Sequence, residues 1–142
     1  MDNNQDLIIG LVEKLVNHCS DIYKDLESYI DSIDNISLPS YEDLIDAEFF
    51  FKEYSKYTTR SDKNHVYKVR CSKVIVDINS LLFELSKHKL STLLKKYTDT
   101  LKFHKDKCGA YVKILDSYQK DLTDTLNYFS AVHYAITTPY RD

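Results

Sequence analysis

The chain has 142 residues, a formal charge of -3 and an isoelectric point near 5.9, too little positive charge to hold a phosphate backbone, which sets general nucleic-acid binding aside. Hydrophobic residues make up 43% and charged residues 29%, a folded composition and not a disordered one. Gly10, Gly109, Pro39 and Pro139 are its only glycines and prolines, whereas sheet proteins and loop-built enzymes need many more at their turns.

The elements in chain order are helices. The first is expected over residues 4–35, starting where Asn3 to Asp6 can cap free N–H groups. Its apolar seam runs Ile8, Leu11, Leu15, Cys19, Ile22, Leu26, Tyr29 and Ile33, steps of three and four that keep one face apolar. Pro39 disfavours helical geometry at Leu38. A second helix, over 41–58, opens with Ser40 as N-cap and an acidic first turn, Glu42-Asp43. It carries Leu44, Ala47, Phe51 and Tyr54 on one face. The polar run Thr58 to Asn64 reads as a loop. A third helix over 65–88 has the clearest heptad: Tyr67, Cys71, Val74, Ile78, Leu81, Leu85, His88. The phase then slips between Ser86 and Ser91, as a stutter or a tight turn.

The fourth helix is expected over 91–137, with a seam of Leu90, Leu94, Tyr97, Leu101, His104, Cys108, Tyr111, Leu115, Tyr118, Leu122, Leu126 and Phe129. Such a helix would be roughly 70 Å long. Its seam should then pack along a rod, and Leu90, Leu94, Tyr97, Leu101, Tyr111, Leu115, Tyr118, Leu122, Leu126 and Phe129 are the expected partner-binding face. Pro139 should stop the helix. The fold expected is all-α, an elongated bundle or coiled coil of about four helices forming one domain.

Several constellations have residue types that could carry chemistry. Arg60, His65 and Tyr67 fit R-x4-H-x-Y, the signature of HEPN-type ribonucleases, in which Arg and His would polarise and protonate a scissile phosphate. The residues between Arg60 and His65 are all polar, where that family places apolar ones, so a solvated loop is the preferred reading. His104 and Cys108 share a helical face and with His88 or Cys71 would suit zinc; packing positions on the seam are preferred, and no metal or cofactor is expected. Asp21/Asp25 and Asp121/Asp124 read as solvated faces. The lysines from Lys87 to Lys107 would touch an acidic membrane at most peripherally. No stretch reads as a leader or a transmembrane span. Cys19, Cys71 and Cys108 make no disulfide framework, which points to a reducing, intracellular compartment.

A longer pattern runs through the second half. Tyr97-Thr98-Asp99-Thr100-Leu101, then Cys108, then Gln119-Lys120-Asp121-Leu122, then Leu126-Asn127-Tyr128-Phe129 resemble the N-terminal region of subunit 3 of the conserved oligomeric Golgi complex. Upstream, Phe49-Phe50-Phe51, Cys71 and Ile78 resemble the aromatic cluster and heptad helix that precede it there. The similarity covers residues 44–136, with Lys102 where the family has His. The resemblance implies a helical, non-catalytic subunit of a vesicle-tethering complex in intra-Golgi retrograde transport. It implies a cytoplasmic place at the Golgi membrane, with other tether subunits, SNAREs and small GTPases as partners. It also implies either the N-terminal piece of a larger subunit or a reduced version of one. Two alternatives stand beside it: a HEPN-like ribonuclease toxin using Arg60, His65 and Tyr67, and a small host-modulating helical protein of viral or mobile-element origin.

Overall fold

The structure, a computed structural model, describes residues 3–89 and 91–138. Among these residues there are four helices and no strand: α1 (Asn3–Asp31), α2 (Tyr41–Leu44), α3 (Ala47–Ser86) and α4 (Thr92–Thr137). The all-α expectation holds, as does the long last helix. Leu90 and Pro139, named above for the seam and the stop, lie outside the described residues.

Two compact units form. The first takes the chain up to Ile33 together with Tyr67–Ile114. Here α1 runs parallel to α4, because Tyr97 donates to Glu13 and Tyr111 donates to Glu27, both pairs 84 residues apart. It runs antiparallel to α3, because Asp25 faces Arg70 at 4.0 Å while Tyr29, further along α1, stacks on the earlier Tyr67 at 4.5 Å between centroids. Val12, Cys19 and Leu26 of α1, spaced by seven, are at most 1% exposed.

The second unit takes Asp34–Val66 with the chain from Leu115 on. Leu44, Phe50, Tyr57, Leu122, Phe129 and Val132 form its core, with Ile36 and Phe49 packed against it. The irregular stretch before α2 is held by two tyrosine hydroxyls: Tyr57 donates to the Ser37 carbonyl (3.3 Å) and Tyr128 to that of Pro39 (3.0 Å).

Helix ends follow local hydrogen bonding. The first helix stops at Asp31, earlier than residue 35, in a tightened last turn: Ser32 N–H donates to Ser28 and Tyr29, and Ile33 N–H to Ile30. Ser40 caps α2 as expected, its side chain accepting from Asp43 N–H. Asp46 then starts a new helix, accepting from Phe49 N–H at 3.1 Å. The expected 41–58 helix is therefore a single turn followed by α3. Ser91 caps α4 in the same manner, accepting from Leu94 N–H at 3.2 Å, so the phase slip after Ser86 is a turn between two helices.

The expected loop over 58–64 is the largest correction, since those residues lie inside α3. The reason is the seven-residue repeat Phe50, Tyr57, Asn64, Cys71, Ile78, Leu85, every member at most 5% exposed. The run is polar, but its one core position, Asn64, is fully buried and satisfied. Its Nδ2 donates to the Leu115 carbonyl at 2.9 Å and to Gln119 Oε1 at 3.1 Å, and Gln119 Nε2 donates to Ser61 Oγ at 2.8 Å. Thr59, Asp62 and Lys63 face solvent.

Leu94, Leu101, Cys108, Leu115, Leu122 and Phe129 repeat by seven along α4 and are at most 2% exposed. Gly109 lies mid-helix beside this seam, and a Cβ placed there meets nothing within 4 Å. Gly109→Ala should therefore raise unfolding free energy by about 1 kcal/mol, because alanine is the better helix former and no clash offsets it. Urea denaturation followed by circular dichroism checks this.

Candidate functional site

Within the first unit, α1 and α3 do not close against each other along their outer edge. A cavity of about 340 Å³ is lined by Leu11, Lys14, Leu15, His18, Asp77, Ser80 and Leu81. A second, of about 390 Å³, begins at the same His18 and continues past Asp21, Ile22 and Asp25 on α1 and Arg70, Lys73 and Val74 on α3. His18 lines both, so the two follow one another along the groove side of the same two antiparallel helices. Its α1 edge from Leu11 to Asp25 is about 21 Å at 1.5 Å per residue.

Helical periodicity builds this groove. Val12, Cys19 and Leu26 point into the core, and Leu11, Leu15, His18 and Ile22 lie one step round the same helix. Leu81 and Val74 do the same beside Ile78 on α3. The floor is therefore apolar and the rims carry charge of both signs: Lys14, Arg70 and Lys73 against Asp21, Asp25 and Asp77. Leu11 is 45% exposed and Leu7, one turn earlier, 65%. The sequence reading placed Leu11, Leu15 and Ile22 on the inner seam of α1 and gave the groove no part. Their steps of three and four mark an apolar face, but not which of its residues a second helix leaves uncovered.

The other residues singled out fall elsewhere. The R-x4-H-x-Y residues share α3 but do not converge on one face. Five residues turn a helix through about 140°, so Arg60 and His65 point in different directions. Arg60 is half-buried over the Tyr57 ring, 5.3 Å from its centroid, and Arg60 opposes the rise that burial gives the Tyr118 hydroxyl pKa. His65 is exposed. Tyr67 stacks on Tyr29 with Arg70 at 5.6 Å from its ring.

The α4 seam expected to bind a partner is covered by the chain itself. Leu101, Leu115, Leu122 and Phe129 have no exposed surface and Leu94 only 2%. Tyr97 and Tyr111 send their hydroxyls to Glu13 and Glu27 of α1, while Tyr118 and Leu126 pack on the second unit's core. The length argument for a partner failed because α1 and α3 supply that cover. Asp21 and Asp25 are exposed, as are Lys95, Lys96 and Lys102. Lys107 turns inward, 3.7 Å from Glu27 and 4.2 Å from the centre of the Tyr23 ring.

His104 and Cys108 do lie together, and their contacts are with Tyr23. Its hydroxyl sits 2.8 Å from His104 Nδ1 and 3.6 Å from Cys108 Sγ. Burial, and then Lys107, lower the His104 pKa. Cys19, Cys71 and Cys108 each occupy the innermost position of α1, α3 and α4, all at most 1% exposed. Interaction with Cys108 and burial raise the Cys19 pKa, while interaction with Cys19, Tyr23 and Lys107 lowers that of Cys108 against its own burial. Burial pushes Cys71 up to about 11. Among the described residues no group of His, Cys, Asp and Glu is arranged to hold a metal ion, and no helix is long and apolar enough to cross a membrane.

Compared with protein-family models, with curated proteins and with solved structures, the chain matches none of them.

Proposed function

We propose that the chain is a non-catalytic helical interaction module whose α1/α3 groove receives one amphipathic helix of a partner protein. The observation that carries this is the groove itself: an apolar floor of Leu11, Leu15, Ile22, Val74 and Leu81 between two antiparallel helices, with charges of both signs on its rims. Recognition of a helix in a groove uses apolar anchors every three or four residues, and a length of about 21 Å holds about four turns. Rims of mixed sign favour a partner helix that carries both Lys/Arg and Asp/Glu beside its apolar stripe. In its specific form the module is a subunit of a vesicle-tethering complex in intra-Golgi retrograde transport, with other helical subunits as partners. What supports that form is the residue order from Leu44 to Ile136 described above.

A photo-crosslinking residue at position 11, with a control at the exposed Phe103 of α4, tests the groove. The expected result is a crosslink from position 11 to one helical segment. That segment, made as a synthetic peptide, should bind the purified chain, and Leu11→Asp should weaken it at least tenfold, about 1.4 kcal/mol. Equal crosslinking from both positions, or peptide binding that Leu11→Asp leaves unchanged, would contradict the proposal. For the specific form, the captured segment should belong to a tether subunit; a segment from an unrelated protein would retain the module and discard the tether.

A further inference from the structure

The rim charges of the α1/α3 face are ordered. Beside the first cavity α1 contributes Lys14 and α3 contributes Asp77. Beside the second the signs exchange: α1 contributes Asp21 and Asp25, and α3 contributes Arg70 and Lys73. The corners of the face therefore alternate, positive then negative along α1 and negative then positive beside it on α3. A face with alternating corners is complementary to itself under a twofold rotation whose axis lies in the face, and that is the condition for an isologous contact between two copies.

The apolar residues choose between the two possible axes. Leu11, Leu15 and Leu81 all lie at the Lys14–Asp77 end, and Leu7, 65% exposed, extends α1 one turn beyond Leu11. The other end holds only the buried Ile22 and Val74. An axis across the groove would lay the leucine end of one copy on the charged end of the other. An axis along the groove keeps leucines on leucines. It also sets Lys14 opposite Asp77 of the second copy, and Asp21 and Asp25 opposite its Lys73 and Arg70. Within one chain Arg70 and Asp25 are 4.0 Å apart with both side chains at least half exposed, so they exchange partners at little cost.

We propose that a second copy of this chain occupies the α1/α3 face, its α1 over the first copy's α3 and its α3 over the first copy's α1, about a twofold axis parallel to these helices. The inference rests on the reading of this face as a docking surface and makes the second copy the resident that a partner helix displaces. The face is about 21 Å long and two helix diameters, about 20 Å, wide, smaller than the roughly 800 Å² per partner of a standard interface. The dimer is accordingly weak, with a dissociation constant on the order of 10 µM or above, which keeps the face available for exchange.

Sedimentation equilibrium of the full chain from about 1 µM to about 1 mM tests this. The weight-average mass should rise from 16.7 kDa toward twice that value. Lys14→Asp and Asp77→Lys each place like charges opposite one another and should weaken association about tenfold, and the double variant should recover most of the loss. Circular dichroism checks that each variant is folded. Carbodiimide coupling of an equal mixture of unlabelled and nitrogen-15-labelled wild-type chain should give a mixed-isotope link between Lys14 and Asp77. A mass that stays at 16.7 kDa throughout, a dimer that neither single variant weakens, or a mixed-isotope link from Lys14 to Asp25 in place of Asp77 would each overturn the proposal. The two readings of the face fail separately. A monomeric chain whose position 11 still crosslinks to one partner helix loses the dimer and keeps the groove. A dimer that Lys14→Asp weakens, in a chain whose position 11 captures no more than the Phe103 control, keeps the twofold contact and loses the partner helix.

Discussion

Phe129→Ala is expected to destabilise the chain by about 3–5 kcal/mol, the range for removing a fully buried aromatic ring. The ring has no exposed surface. It meets Phe50 edge-on at 5.7 Å and Tyr57 at 5.6 Å, and Tyr54 at 6.4 Å, so the second unit loses its central contact among α3 and α4 residues. Edge-on and tilted pairs of this kind add about 0.5–1.5 kcal/mol each beyond the area buried. The cavity left behind cannot refill easily, because Leu122 and Val132 on the same helix are themselves packed and Leu44 comes from the single turn α2. Phe103→Ala is the control: at 61% exposure it should change stability by less than about 0.5 kcal/mol. Urea titrations of both variants against wild type test the contrast. Equal midpoints would mean that the aromatic cluster is not the core of this unit.

The second large effect is at Asn64. Asn64→Asp should cost about 3–5 kcal/mol at neutral pH, the scale for leaving a charge buried without a partner. The native Nδ2 is a donor to two acceptors, the Leu115 carbonyl and Gln119 Oε1; a carboxylate in its place would meet both with oxygen against oxygen. The sign with pH follows from that. Burial and the facing acceptors raise the introduced carboxyl's folded pKa above its unfolded value of about 3.9. Between those two values the folded state holds the proton more tightly. The penalty therefore grows as pH rises through that window, stays constant above it, and shrinks when the acid is protonated below it. Asn64→Leu provides the contrast. It removes the polar group without adding charge and should be near neutral in stability, and it should loosen the α3–α4 register that the amide pair enforces. Thermal melts of both variants across pH 3 to 8 (an approximate range set by the carboxylate pKa) give the comparison.

Much of the architecture was legible. The steps of three and four in α1 and the heptad from Tyr67 to Leu85 marked helices, because most of those positions face the interior; Leu11, 45% exposed, does not, and α3 ends at Ser86, before His88. What local reading missed was the stretch from Thr58 to Asn64. Composition marked it as a loop, yet Asn64 stands seven residues from both Tyr57 and Cys71, and the repeat outweighs the polarity once Gln119 and the Leu115 carbonyl satisfy the amide. Among the described residues no buried side-chain nitrogen or oxygen lacks a partner, which is how so polar a segment lies inside a bundle.

The functional residues were less legible, for a different reason. The α4 seam was read as a partner's face from its length alone, and single-helix periodicity does not tell which helix covers a seam. Leu11 and Leu81 looked like ordinary seam positions; only the pairing of α1 with α3 leaves them lining an open groove. The cysteines were set aside as widely spaced in sequence. Each takes the innermost heptad position of its own helix, and the level at which those positions align depends on register.

The most direct test of the groove is a methyl-labelled NMR spectrum of the chain before and after adding the partner helix captured from position 11. The account predicts shifts at Leu11, Leu15, Ile22, Val74 and Leu81, with Leu101, Leu115 and Leu122 unmoved because those methyls are already sealed inside the bundle. Shifts at Leu101, Leu115 and Leu122 with the groove methyls unchanged would contradict it and return the binding face to the α4 seam.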